Sequence, residues 1–260
     1  YPGGAVLDIY DQLYCYRDRI EHVLTAHEQG AAHAADGYAR VSGKTGVVIA
    51  TSGPGATNLV TGIANAYLDS VPLVAITGNV TLALLGRDSF QEVDIVGITQ
   101  PVVKHSYIVR DVAELESVLQ SAFEIANTGR KGPVLIDIPK TVQQDRCEYR
   151  GGTAALPVGG EMTPGLEGAR QLIAACRRPF IYCGGGVLAS RAEQEVLALS
   201  RCLGAPVGLS MMGLSAVPAS YQLNLGMCGM HGNYASNRAQ SEADLIIAIG
   251  SSFSDRGTGD

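Results

Sequence analysis

Short apolar runs that end in glycine turns recur along this chain, and they restrict its fold more than any other feature. Gly46-Val47-Val48-Ile49-Ala50-Thr51 leads into Ser52-Gly53-Pro54-Gly55, and Pro72-Leu73-Val74-Ala75-Ile76-Thr77 leads into Gly78. Gly132-Pro133-Val134-Leu135-Ile136-Asp137-Ile138 has the same character. A run without polar alternation suits a strand buried on both faces of a parallel sheet. Helical patterns stand between the runs. One covers about 56–68. Another covers about 112–127 and sets Val112, Leu115, Val118, Leu119, Ala122 and Ala126 on one face. Asp111, with Glu114 three residues on, reads as a capping box at its start.

Residues 141–163 have little apolar periodicity and carry Gly151-Gly152 and Gly159-Gly160. They read as a linker between a first domain, 1–140, and a second, 164–260. Thr163 reads as an N-cap with Pro164 at the first helical position. Strand-like runs follow at 179–184, 205–210 and 243–250, and Ser190 with Glu193 reads as a second capping box. Alternating elements in both halves predict an α/β fold of two layered domains with mostly parallel sheets. A length of 260 residues agrees with roughly two domains.

The net charge of −6 argues against a nucleic-acid binder that relies on a basic face. No apolar run approaches the ~20 residues that span a bilayer. Six cysteines, at 15, 147, 176, 183, 202 and 228, form no C-x-x-C pair, so neither a zinc site nor a redox dithiol is signalled. Cys183, inside an apolar run, reads as a small hydrophobe, which suits a reducing compartment. The chain starts abruptly at Tyr1-Pro2-Gly3-Gly4 and reads as a fragment.

Two segments carry chemistry. His27-Glu28-Gln29-Gly30-Ala31-Ala32 sets a carboxylate inside an Ala-rich helical pattern. Burying it is costly unless something pairs with it, although an exposed helical glutamate is the commoner case. In Thr51-Ser52-Gly53-Pro54-Gly55-Ala56-Thr57-Asn58, a plain strand-to-helix turn explains the glycines but not Thr51 and Asn58. Lys140 follows a strand end, which is either a ligand edge or a solvated position. Gly184, Gly186 and Ala189 fit the weak nucleotide fingerprint G-x-G-x-x-A. The acidic residue that a nicotinamide ribose needs ~20 positions on is missing, because that region reads Leu209-Ser210-Met211-Met212. A dehydrogenase is therefore disfavoured.

Together these segments resemble the large, catalytic subunits of acetohydroxyacid synthase (acetolactate synthase), a family dependent on thiamine diphosphate (ThDP). Tyr1-Pro2-Gly3-Gly4-Ala5, 27–43, 51–58, Phe90-Gln91-Glu92 and 132–140 match the family pattern in the same order. The resemblance implies that Tyr1, Pro2, Gly3, Thr51, Pro54 and Asn58 line the aminopyrimidine pocket of ThDP. It makes Glu28 the catalytic carboxylate that hydrogen-bonds that ring, work that needs a dry site. Phe90 and Gln91 would stand beside the reacting centre, with Gln91 catalytic, and Lys140 would contact substrate. For FAD, a structural cofactor in the family, the resemblance implies Arg130, Gly184, Gly185, Gly186, Met230, His231, Gly250 and Ser252. The family usually has arginine at position 252 and aspartate at 254, where this chain has Ser252 and Ser254. Loss of the arginine contact would weaken FAD by ~1.5–3 kcal/mol. Asn79 replaces the more usual glutamine.

The resemblance further implies a reaction of pyruvate with a second 2-keto acid, pyruvate or 2-ketobutyrate. The products are 2-acetolactate and 2-aceto-2-hydroxybutyrate, in branched-chain amino-acid synthesis. It implies Mg²⁺ held by a Gly-Asp-Gly…Asn motif that these residues do not contain, so the chain alone is expected to be inactive and no metal ligand is assigned. It also implies a homodimer or tetramer, a possible small regulatory subunit, no nucleic acid, no membrane, and a bacterial cytoplasm or a plastid. The alternatives are another ThDP-dependent decarboxylase or acetyltransferase, or a non-catalytic nucleotide-binding paralogue.

Overall fold

The apolar runs form the strands that their lack of alternation predicts. The computed structural model describes residues 2–151 and 165–258. The chain divides into two units, Tyr1–Gly159 and Gly160–Asp260. In the first unit, β1 (Gly46–Ala50), β2 (Leu73–Asn79), β3 (His105–Ile108) and β4 (Pro133–Pro139) form one parallel sheet in the order β1-β2-β4-β3. Its helices are α1 (Leu7–Cys15), α2 (Glu28–Ser42), α3 (Pro54–Asn58), α4 (Val60–Leu68), α5 (Ile95–Thr99), α6 (Val112–Asn127) and α7 (Lys140–Gln144). β4 is buried at every position, as a central strand covered on both faces must be.

One face packs on α2 and α4 through Ala32, Ala35, Ala39, Leu59 and Ile63. The other packs on α6 through Val74, Ile136, Ala122 and Ala126. The alanines of α2 let that helix lie close to the sheet. A Cβ on Gly46 would stand 2.2 Å from the Ala35 carbonyl oxygen, and one on Gly62 2.4 Å from the Ala32 Cβ. Asp111 caps α6, its carboxylate accepting from the Ala113 N–H, but no bond to the Glu114 side chain completes the expected box.

The second unit contains β5 (Pro179–Cys183), β6 (Val207–Leu209), β7 (Asn224–Met227) and β8 (Leu245–Ile249), parallel throughout in the order β7-β6-β5-β8. Helices α8 (Leu166–Ala175), α9 (Gly185–Ala189), α10 (Glu193–Leu203), α11 (Tyr234–Glu242) and α12 (Asp255–Thr258) complete it. Val187, Val196 and Leu197 cover one face of β5 and β6. Ala239 and Ala243 lie in the cluster of Phe180, Tyr182 and Cys228 on the other.

Two local expectations are corrected. Ser190 does not cap α10: it ends α9, and the α10 N-cap is Ala192 with no side-chain bond. Arg191, at φ 54°, turns the chain between the two helices, so the Ser-x-x-Glu spacing spans a turn and not a helix start. Residues 141–144, read as the start of a linker, are helical in α7, where Gln143 ties down the carbonyls of Ala5 and Ile138. α8 begins after Gly165, whereas Thr163, Pro164 and 152–163 of the expected linker lie outside the described residues. Among the described residues no helix is long and apolar enough to cross a membrane.

Candidate functional site

The carboxyl ends of β1 and β2 bring the sequence-predicted residues together. A cavity of about 380 Å³ is lined by Pro2, Gly3, Glu28, Thr51, Asn58 and Gln91, with Pro54 and Gly55 at the turn into α3. Ala26 and His27 line it as well and were not foreseen as site residues. Tyr1 lies outside the described residues. Phe90, next to Gln91, is 86% exposed and does not line the cavity. Lys140 opens α7 beyond β4, its N–H reaching the Val80 carbonyl at 3.4 Å, and it too is absent from the lining.

Glu28 is the first residue of α2 and only 7% exposed. His27 precedes it as N-cap, its Nδ1 accepting from the Gln29 N–H at 3.1 Å. Histidine is outside the usual N-cap set, which is why the sequence reading passed over it. The position places the carboxylate at the helix end whose free amides favour negative charge. Asn58 donates its side-chain N–H to Glu28 Oε2 at 3.0 Å. Burial, and second the Glu28 charge, raise the Tyr10 phenol above its ordinary value. The carboxylate is thus felt on α1.

Thr51 is wedged between two glycines. A Cβ on Gly3 would come within 2.6 Å of Thr51 Oγ1, and one on Gly55 within 2.6 Å of its Cγ2. Thr51 is 9% exposed, and its Oγ1 is buried without a hydrogen-bond partner. A buried hydroxyl left unpaired costs roughly 1–3 kcal/mol, and a water or a polar ligand atom in the cavity would offset that cost. The buried carboxylate, the unpaired hydroxyl and the glycine-lined walls leave room for a flat polar ligand.

Asn79, which had no assigned consequence, has one in the structure. Its amide donates to Asp137 Oδ2 at 2.5 Å, while Thr77 donates to Oδ1 at 2.7 Å. Asp137, on the central strand β4, is 1% exposed. Burial pushes its carboxyl up to about 6, opposed by the Asn79 and Thr77 bonds and aided by the Asp94 charge. The folded state therefore holds the proton more tightly than the unfolded chain. Stability falls as pH rises from about 4 to about 6, where only the unfolded carboxyl ionises, and the whole penalty of ~3 kcal/mol applies above that. Denaturant unfolding at a series of pH values should show wild type losing ~3 kcal/mol more than Asp137→Asn between pH 4 and pH 7. Parallel curves would refute the buried ionisation.

Three of the residues expected at FAD, Gly184, Gly186 and Arg130, have donor groups already engaged. In the second unit the glycine loop after β5 packs on the end of β8. Gly184 N–H donates to the Ile249 carbonyl and Gly186 N–H to the Gly250 carbonyl, both at 2.9 Å. A Cβ on Gly184 would stand 2.2 Å from the Gly250 oxygen, and one on Gly185 3.0 Å from the Met212 Cβ. The glycines therefore serve close backbone packing, and two of the three amides are not free for a diphosphate. The same sheet edge carries exposed apolar side chains: Met211 is 62%, Met230 66% and Phe253 69% exposed. His231 and Ser252 are exposed there too. In the first unit Arg130 is held at the end of α4. It donates to Ser70 Oγ at 2.8 Å and to the Tyr67 and Leu68 carbonyls at 3.1 and 3.2 Å. Buried Cys183 has its thiol pushed up to about 11, first by burial, which leaves it inert. Among the described residues no group of three or more His, Cys, Asp or Glu side chains could hold a metal.

Comparison with known proteins gives a family for each unit. Residues 1–98 match the family described as "Thiamine pyrophosphate enzyme, N-terminal TPP binding domain". Residues 166–260 match "Thiamine pyrophosphate enzyme, central domain". The chain is 50% identical over 264 residues to the "Acetolactate synthase large subunit" of Corynebacterium glutamicum, covering 100% of this chain and 42% of that protein. It is 47% identical over 270 residues to the protein of the same name in Cyanidium caldarium, covering 100% and 46%. A "Probable acetolactate synthase large subunit" of Methanocaldococcus jannaschii is 48% identical over 268 residues, covering 100% and 45%. The chain thus spans a little under half the length of these relatives.

Proposed function

For a chain that belongs to the thiamine pyrophosphate enzymes, we propose that the cavity beside Glu28 holds the aminopyrimidine half of ThDP, and that the protein is an acetolactate synthase catalytic subunit. The observation that carries this reading is the buried Glu28 beside the orphaned Thr51 hydroxyl, in one glycine-walled cavity. When bound, ThDP supplies a thiazolium carbon that becomes a carbon nucleophile on losing its proton. Asn58 fixes Glu28 Oε2, which leaves Oε1 to hold a proton against the cofactor ring. Thr51 Oγ1 gains the partner that the protein does not provide. Gln91 presents an amide to the keto acid, while Phe90 and Lys140, outside the cavity lining, are weaker candidates for contact with it. The overall reaction releases carbon dioxide from pyruvate and joins the two-carbon remainder to a second 2-keto acid.

FAD is proposed on the apolar carboxyl edge of the second unit's sheet, where Met230, His231, Gly250 and Ser252 suit a flat ring better than a diphosphate. Arg130, spent on α4, is a weaker candidate, and Mg²⁺ receives no ligand from the described residues. An oligomer working in the cytoplasm or a plastid completes the reading.

Thr51→Val tests it in the natural full-length protein. Valine keeps the shape and removes the buried unpaired hydroxyl. Without ThDP the variant should be as stable as wild type or ~1 kcal/mol more stable. Its ThDP affinity, by calorimetric titration, should fall about 5-fold, the worth of one hydrogen bond near 1 kcal/mol. Affinity equal to wild type would remove Thr51 from the cofactor site.

A further inference from the structure

We propose that Glu92 is a positioning residue for the keto-acid substrate: its carboxylate closes residues 86–92 into a ring that holds Gln91 in the cavity. The proposal rests on reading that cavity as the ThDP site. Glu92 Oε1 accepts from the Gly86 N–H and Oε2 accepts from the Ser89 N–H at 2.9 Å. Its own N–H donates to the Ser89 carbonyl at 2.9 Å, and Ser89 Oγ donates to the Leu84 carbonyl at 3.0 Å. One side chain thus grips the chain at two points, six and three residues upstream. Hydrogen bonds to an ionised acceptor are the strong kind.

Other sources of order in this loop are few. Gly86, Arg87, Asp88, Phe90 and Gln91 are all exposed, so apolar packing does not hold it. The backbone is also unusual. Gly86, Asp88 and Gln91 have φ of 76°, 54° and 57°, and the last two are not glycines. Such conformations persist only where surrounding bonds over-determine them. The Ser89 and Gly86 amides in turn hold the Glu92 carboxyl below its ordinary value, so the grip is charged at neutral pH. The held loop is seated tightly on the cofactor turn: a Cβ on Gly53 would stand 2.6 Å from the Gln91 carbonyl oxygen. A loosened loop would therefore displace Gln91 while leaving Glu28, Thr51 and Asn58 in place.

Glu92→Ala and Glu92→Gln, each in the natural full-length protein, test this. Three quantities are read: hydrogen–deuterium exchange over 84–94, ThDP affinity by calorimetry, and kcat and KM for pyruvate. In Glu92→Ala the exchange should quicken at least 10-fold, ThDP affinity should stay within 2-fold, and KM should rise at least 10-fold with a smaller change in kcat. Glu92→Gln keeps one acceptor oxygen and should recover part of the loss. Unchanged exchange overturns the proposal, as does quickened exchange with KM unaltered. Wild type that binds no ThDP overturns the underlying reading and the proposal with it. Normal ThDP binding with an unaffected Glu92→Ala overturns the proposal alone.

Discussion

Glu28→Gln should lower turnover of pyruvate by roughly 10²–10⁴-fold, the contribution of a positioned acid–base group, while leaving the fold intact. Glutamine has the same shape. Its amide oxygen can still accept the Asn58 N–H that Glu28 Oε2 accepts at 3.0 Å. The helix start is also preserved, because His27 and not Glu28 provides the cap. What is lost is a group that can take and return a proton in a dry site. Stability should therefore change by less than ~1 kcal/mol. The check is kcat of the full-length variant beside its denaturant midpoint. Turnover within a few-fold of wild type would remove Glu28 from the chemistry, and a collapse of stability would make the loss uninformative about it.

Gly53→Ala should destabilise the first unit by about 2–4 kcal/mol, through left-handed backbone and overpacking acting at one position. Gly53 has φ 56°, and a Cβ there meets the Gln91 backbone: the carbonyl oxygen at 2.6 Å and the carbon at 3.0 Å. A side-chain tip could swing away, but backbone cannot. Relief requires the 86–92 loop or the turn into α3 to move, and both line the cavity. Denaturant unfolding measures the cost, and a loss below ~1 kcal/mol would mean that the loop yields easily. The same measurement on Gly43→Ala is a control for the backbone term, because Gly43 also has positive φ, 71°, but nothing within 4 Å of a Cβ.

Much of this architecture was legible in the sequence, and the rest was not for physical reasons. β1, β2 and β4 announce themselves because each holds a continuous apolar run, and the central pair β2 and β4 is buried almost throughout, with Thr77, Asn79 and Asp137 as its polar exceptions. β3, His105-Ser106-Tyr107-Ile108, and β7, Asn224-Leu225-Gly226-Met227, went unread. Both are edge strands with partly exposed side chains, so nothing forces an apolar run. α6, read as a helix over about 112–127, is found at Val112–Asn127, because its stripe and its Asp111 cap agree. The cavity residues were legible as a motif, but their roles were not. The His27 cap and the Glu92 grip join residues only two to six apart, but they rest on backbone geometry that residue spacing does not display, and the Thr51 hydroxyl is enclosed partly by Gly3, far from it in the chain. The glycines after β5 misled in the opposite sense: a nucleotide-like pattern there serves packing against Gly250, and only geometry separates the two uses. Asn79 and Asp137 likewise became a pair only once β2 and β4 were seen side by side.

The central claim is that Glu28 promotes loss of the cofactor proton, and exchange of the thiazolium C2 hydrogen of ThDP with deuterium tests it most directly. Proton magnetic resonance of quenched samples follows that exchange without any substrate turnover. The wild-type full-length protein should accelerate exchange far above that of free ThDP, and Glu28→Gln, with ThDP still bound, should lose at least 10²-fold of the acceleration. Equal exchange in the two proteins would contradict the assignment of the buried carboxylate, and with it the account of this site.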